Sequence, residues 1–313
     1  MSGALPASGN APSATMDPSA VRLMRFATYA SVTVALVLIS VKFTAWTMTE
    51  SVSLLSTLID SMLDAFASIV NLIAVHHALQ PADRDHRFGH GKAEPLAGLM
   101  QSAFICGSAA FLVIEAGDRF LHPKPIARTE LGYAVMVFAI VVTIGLVLFQ
   151  RYVVRRSGSV AIGADSLHYT TDVMINGSVI VSLFLAGQMG ITFADPLFAV
   201  GIAAYIVWGA LQIGKQSLDM LMDKELPDED RARIRAIVTA HSEVVGMHDL
   251  RTRTSGTHVF MQMHLEMDPE MTLAKAHEVT DQVEEELLAV YPNAEVIIHE
   301  DPDGIEEARR VFR

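Results

Sequence analysis

Six apolar runs, at about 26–47, 52–79, 94–116, 131–150, 162–187 and 192–213, constrain this chain more than any other feature. Each is long enough to cross ~30 Å of hydrocarbon as a helix. Inside lipid every backbone N–H and C=O must find an internal partner, which leaves helices as the spanning element for runs of this length. The composition agrees: 51% hydrophobic and 19% charged residues, with a mean hydropathy of +0.36, are too apolar for a soluble protein of this size. The expected partner of residues 21–215 is therefore a lipid bilayer, crossed six times.

Charge inside such a run calls for a reason. Asp60 and Asp64 lie in the second run, and His168 and Asp172 in the fifth. Each pair is spaced i, i+4, so its members share one helix face. A charged side chain at the bilayer centre costs at least ~2.5–3.5 kcal/mol on insertion scales. If the two runs enter from opposite sides near Val52 and Val160, both pairs fall about 12–18 Å deep at ~1.5 Å per residue. Three carboxylates and an imidazole at one depth offer the four N/O ligands that tetrahedral Zn²⁺ takes. The plainer alternative is separate interhelical hydrogen bonding. Lys42 and Glu115 read as snorkelling or interhelical pairs, and Asn71 and Asp165 as polar neighbours of the site.

Orientation follows from basic residues in the connections. Arg22 and Arg25 precede the first run, Arg84, Arg87 and Lys92 follow the second, Arg151, Arg155 and Arg156 follow the fourth, and Lys215 follows the sixth. The opposite turns carry no Lys or Arg near Glu50 and Gly190, although Arg119, Lys124 and Arg128 make the remaining one mixed. Both termini are expected in the cytoplasm. Residues 1–20 are small and polar without a basic start or apolar centre, so they read as a disordered tail and not as a signal peptide.

Beyond Pro227 the texture becomes soluble. An amphipathic helix over 228–241, two strands flanking Ser255-Gly256, a helix over 272–290 and a strand over 295–299 give an α-β-β-α-β order. This predicts a small α+β domain over 216–302 with helices on one sheet face, followed by a tail at 303–313. Val259, Met261, Met263 and Leu265 alternate with His258, Phe260, Gln262, His264 and Glu266. His299 and Asp301 share a face by the period of two, and His248 and His277 lie on neighbouring elements. Four His and one Asp can hold two metal ions; they can also be scattered surface polarity. In the loop after the second run, Asp83, His86 and His90 can bind zinc with water as fourth ligand, or can simply be polar groups at a membrane surface. His76 and His77 read as interfacial, and His241 and His258 as solvent-facing.

Several activities are excluded by what the sequence lacks. A net charge of -12 is no nucleic-acid signature. There is neither a His-Glu-x-x-His metalloenzyme motif nor a phosphate-binding Gly-x-x-x-x-Gly-Lys-Ser/Thr loop, so enzymatic and ATP-driven readings have no support. A single cysteine, Cys106, excludes an intrachain disulfide.

Together Asp60/Asp64, His168/Asp172, the loop Gln80-Pro81-Ala82-Asp83-Arg84-Asp85-His86-Arg87-Phe88-Gly89-His90-Gly91-Lys92 and His248-Asp249-Leu250-Arg251-Thr252-Arg253 resemble the cation diffusion facilitator family, in its bacterial ferrous-iron and zinc efflux branch. The resemblance implies a homodimeric, proton-coupled divalent-metal exporter of the bacterial inner membrane with a metallochaperone-like cytoplasmic domain. It implies Zn²⁺, with Fe²⁺ or Cd²⁺ as further substrates, and tips the loop trio towards a secondary metal site. It also places His248, His264, His277, His299 and Asp301 at a face where two cytoplasmic domains meet, and Lys92 and Asp223 in a charge contact of the dimer. Glu300 departs from the family pattern, which has a neutral Gln there. The rival reading is a membrane-anchored zinc sensor that signals without transport.

Overall fold

The computed structural model describes residues 18–50, 52–121, 130–189 and 194–305. The expected N-terminal tail and residues 306–313 of the expected C-terminal tail fall outside these, apart from Pro18 onwards. Six long helices come first: α1 (Pro18–Thr49), α2 (Val52–Ala78), α3 (Ala93–Leu121), α4 (Glu130–Ser157), α5 (Val160–Met189) and α6 (Ala194–Leu221). Among the described residues, α1, α2, α3, α4 and α6 are long and apolar enough to cross a membrane. The sixth, α5, is 30 residues long and carries the polar set of His168 and its neighbours. Large apolar side chains such as Phe26, Leu36, Phe66, Phe104, Leu148 and Trp208 are exposed on these helices, as lipid-facing surfaces require.

The helix ends have local causes. Pro18 opens α1, where its missing N–H is no loss. Glu50, at φ 50°, turns the chain out of α1 while its N–H reaches Trp46 O at 2.7 Å. Between α4 and α5 only Gly158 and Ser159 intervene. Gly158 takes φ +68° and bonds back to Val154 O, and Ser159 Oγ accepts from the Ile162 N–H at 3.2 Å as an N-cap. Glu94, buried at the start of α3, accepts from Ser159 and from the Val160 and Ala161 amides, so an acidic side chain from another helix occupies the N-terminus of α5.

A buried hydrogen-bonded cluster ties four of these helices together. Ser31 on α1 donates to Asp165 Oδ2 on α5 (2.6 Å), and Gln150 Nε2 on α4 donates to the same oxygen (2.7 Å). Ser68 on α2 lies 2.8 Å from the Tyr169 hydroxyl and 3.0 Å from Ser31 Oγ. All five side chains are buried. In lipid such groups have no water to turn to, so mutual pairing fixes how α1, α2, α4 and α5 meet.

The chain divides into two compact units, Ser19–Met222 and a second that begins at Asp223. The sequence places the end of the membrane domain at 215, but α6 runs on to Leu221, and its Ser217 is fully buried. The second unit contains α7 (Asp228–Val238), β1 (Val244–Ser255), β2 (His258–Met267), α8 (Leu273–Val290) and β3 (Ala294–Pro302). β1 and β2 are antiparallel, β2 and β3 parallel, in the order β1-β2-β3. Met261, Met263, Leu265 and Met267 point into a core shared with Ile234 and Val238 of α7 and Val279, Val283 and Leu287 of α8. Both helices therefore cover one face of the sheet, and the alternate residues of β2 face the other way. α7 stops at Val238, short of the expected 241, where the Thr239 N–H closes on Arg235 O.

Candidate metal centres

Among the described residues, three groups of His and carboxylate side chains have ligand atoms within 4.8 Å of one another: Asp64, His168 and Asp172; Asp83, His86 and His90; and His248, His264 and Asp301. The first lies between α2 and α5. His168 Nε2 stands 2.8 Å from Asp64 Oδ1, and Asp172, one turn further along α5, completes the set. Asp60 is not part of it. It lies one turn earlier on the same face of α2 as Asp64, outside the group whose ligand atoms all fall within 4.8 Å of one another. Lys42 reaches across from α1 to Ser61 Oγ (2.6 Å) and Thr57 O (3.1 Å), which makes it an interhelical donor beside Asp64. Asp165 lies on the same helix as His168 but is held in the Ser31–Gln150 cluster. The side chain of Glu115 lies outside the described residues.

In the loop before α3, Asp83 organises the local chain. Its Oδ1 accepts from the His86 and Asp85 amides at 2.7 and 2.9 Å, and the His86 amide above all, against an opposing effect of burial and with help from the Asp85 amide, holds the carboxyl below its ordinary range. His86 Nδ1 and His90 Nε2 each lie 3.4 Å from a different Asp83 oxygen. His90 is buried, and its Nδ1 has no hydrogen-bond partner among the described residues.

The third group is a product of strand register. His248, His264 and His299 stand abreast on β1, β2 and β3, with Glu266 and Asp301 paired in the adjoining row. His264 Nδ1 and His248 Nε2 lie 2.8 and 3.4 Å from Asp301 Oδ2, and His299 Nε2 lies 3.1 Å from Asp301 Oδ1. Asp301 is buried beneath the three rings. Glu266 adds a carboxylate on that face: its Oε1 is 2.9 Å from His248 Nδ1, a buried nitrogen with no hydrogen-bond partner among the described residues. Imidazole nitrogens with carboxylates, one nitrogen left unsatisfied, are a donor set suited to Zn²⁺.

Other expected residues sit elsewhere. His277 is exposed on α8 and pairs at 3.6 Å with Asp281, one turn on, because its helix position looks away from the sheet. Glu300 points to the other side of β3 and accepts from Thr280. His241 is nearly buried beside Glu286 and not solvent-facing, since the chain folds back under α8 after α7. Lys92 Nζ reaches the Leu221 carbonyl at the end of α6 (3.5 Å), a cation at a helix C-terminus, and Asp223 meets Arg253 at 3.4 Å within its own unit.

Residues 28–222 match the cation efflux transmembrane domain, and residues 226–303 match the cytoplasmic domain of cation efflux proteins. The chain is 47% identical over 290 residues to the cation-efflux pump FieF of Yersinia enterocolitica, covering 93% of this chain and 96% of that one. It is 47% identical over 283 residues to the cation-efflux pump FieF of Shewanella oneidensis, covering 90% and 95%. A metal-bound C-terminal domain of the CzcD transporter from Thermotoga maritima shares 30% identity, covering 26% of this chain and all of that one, with a TM-score of 0.25. A six-helix membrane domain with facing carboxylates and imidazole, joined to a three-stranded cytoplasmic domain and matched by both domain families, makes this chain a member of the cation efflux family of divalent-metal exporters.

Proposed function

We propose that the chain works as a homodimer in a bacterial inner membrane, with both termini in the cytoplasm, and exports Zn²⁺ in exchange for protons. The observation that carries this reading is the meeting of Asp64, His168 and Asp172 between two membrane helices, far from any loop. Carboxylates crowded into low dielectric repel one another, so the metal-free site takes up protons that M²⁺ displaces. Metal and protons then compete for the same atoms. When a site of this kind opens alternately to each side, competition becomes exchange: metal loads from the cytoplasm, protons from outside release it, and the protonated site returns. The titration belongs to the group as a whole and not to one residue.

Asp60, one turn earlier on the same face of α2 as Asp64, is assigned as the fourth transport ligand. The imidazole favours Zn²⁺ or Cd²⁺ over Mn²⁺, whose preferred ligands are hard oxygens; Fe²⁺ is a further candidate. Asp83, His86 and His90, and His248, His264, His299 and Asp301, hold resident zinc that stabilises or regulates the dimer. His277 joins the second set only when a second copy brings it there. Lys92 and Asp223 take part in a charge contact of the dimer. The test is zinc flux in proteoliposomes under an imposed pH gradient. Gradient-dependent flux should be lost, by at least about a hundredfold, in Asp64→Ala and in Asp172→Ala. Zinc binding without flux in the parent chain, across a range of gradients, would overturn the exporter in favour of a sensor.

A further inference from the structure

The loop trio has a neighbour that its own spacing does not suggest. His77 lies in the last turn of α2, before the chain enters the loop. Its ring meets that of His90 edge-on, with centroids 4.6 Å apart and planes at 65°. The ring of His86 also packs against that of His90, with centroids 4.5 Å apart. The buried His90 thus contacts both other imidazoles, and Asp83 reaches both His86 and His90. His90 Nδ1, enclosed and without a hydrogen-bond partner among the described residues, marks this group as incomplete in its polar pairing.

We propose that His77 supplies the fourth ligand of the loop metal site, closing it as three imidazoles and one carboxylate around an ion of the Zn²⁺ class. This rests on the reading of Asp83, His86 and His90 as a metal site. Three protein ligands leave a position open to water or substrate, as catalytic zinc sites do, whereas structural sites take four. The loop has no substrate to activate. His77 is not in the group whose ligand atoms lie within 4.8 Å of one another, but its side chain is exposed and its ring already packs against that of His90. Its Cα is held by a rigid helix, so the ligand arrives from a fixed direction.

The closed site has a mechanical meaning. Asp83, His86 and His90 belong to the loop that leads into α3, and His77 belongs to the helix that carries Asp60 and Asp64. Metal bound by all four would tie the end of α2 to the start of α3, and occupancy at the surface would restrain the helix that bears the transport carboxylates.

The experiment uses the full chain in detergent with Asp64→Ala and His264→Ala, which silence the other two groups, and Co²⁺ as a visible probe. Three measurements are made: the ligand-field absorption, the affinity by competition with Zn²⁺, and the melting temperature as a check of folding. His77→Phe keeps a ring against His90 but offers no nitrogen. It is expected to weaken binding at least about tenfold and to lower the tetrahedral absorption sharply. His77→Gln should do the same, and His76→Phe, one residue away, should leave both unchanged. If His77→Phe keeps the spectrum and affinity while Asp83→Asn loses them, the loop site stands and its fourth ligand is not His77. If the starting variant binds no Co²⁺, the loop reading and the proposal fall together.

Discussion

Gly246 sits opposite Glu266 across the β1–β2 ladder, and a Cβ placed there would run into the Glu266 carboxylate and not merely crowd it. The absence of a side chain on one strand is what lets an acid on the next lean towards His248. Gly246→Ala should therefore push Glu266 aside and weaken zinc retention by the His248, His264 and Asp301 group by roughly tenfold, the usual effect of losing a group that orients metal ligands. Competition with a chromophoric chelator measures this, and an unchanged affinity would remove Glu266 from the site. The alternation of β2 already put Glu266 on the same face as His264. Its pairing with His248 was not legible, because β1 carries irregularities between Val244 and Gly246 and between His248 and Arg251, where Asp249 takes φ 49°. A period of two assigns faces; a bulge resets which residues stand abreast.

Among the elements, the six apolar runs and the α-β-β-α-β order could be read directly, since hydrophobic blocks and alternation are set by burial. The ends were less legible, being decided by single caps such as Glu50 and Ser159. Least visible was the cluster of Ser31, Ser68, Gln150, Asp165 and Tyr169. Serine and tyrosine inside an apolar run look like ordinary composition, and only the packing of four helices shows that they meet. The loop between α2 and α3 gives a prediction of its own. Because the His86 amide, helped by that of Asp85, holds the Asp83 carboxyl below the ordinary aspartate value, the stability of that turn is fully present above the ordinary value and is lost as pH falls through the depressed folded value. A carboxyl-carbon NMR titration should place the Asp83 midpoint under 3.8. A midpoint at or above it would mean that the two amide bonds are not formed in solution.

For the molecule as a whole, the second unit draws its core entirely from its own residues, from Ile234 and Val238 to Leu265 and Leu287. A fragment starting at Asp223 should fold by itself with a cooperative melt. A domain under a hundred residues has a modest core, so zinc should raise its melting temperature by several degrees. A fragment with no cooperative transition would show that this core depends on the membrane unit. The membrane unit itself has an order built into its sequence. The groups that receive Asp165 and Tyr169 of α5 are Ser31, Ser68 and Gln150, and Asp64 stands ready for His168; every one of them lies earlier in the chain. During synthesis the helix that carries Asp165, His168 and Asp172 is thus made after its partners, and it can leave the insertion machinery for a prepared polar seam instead of bare lipid.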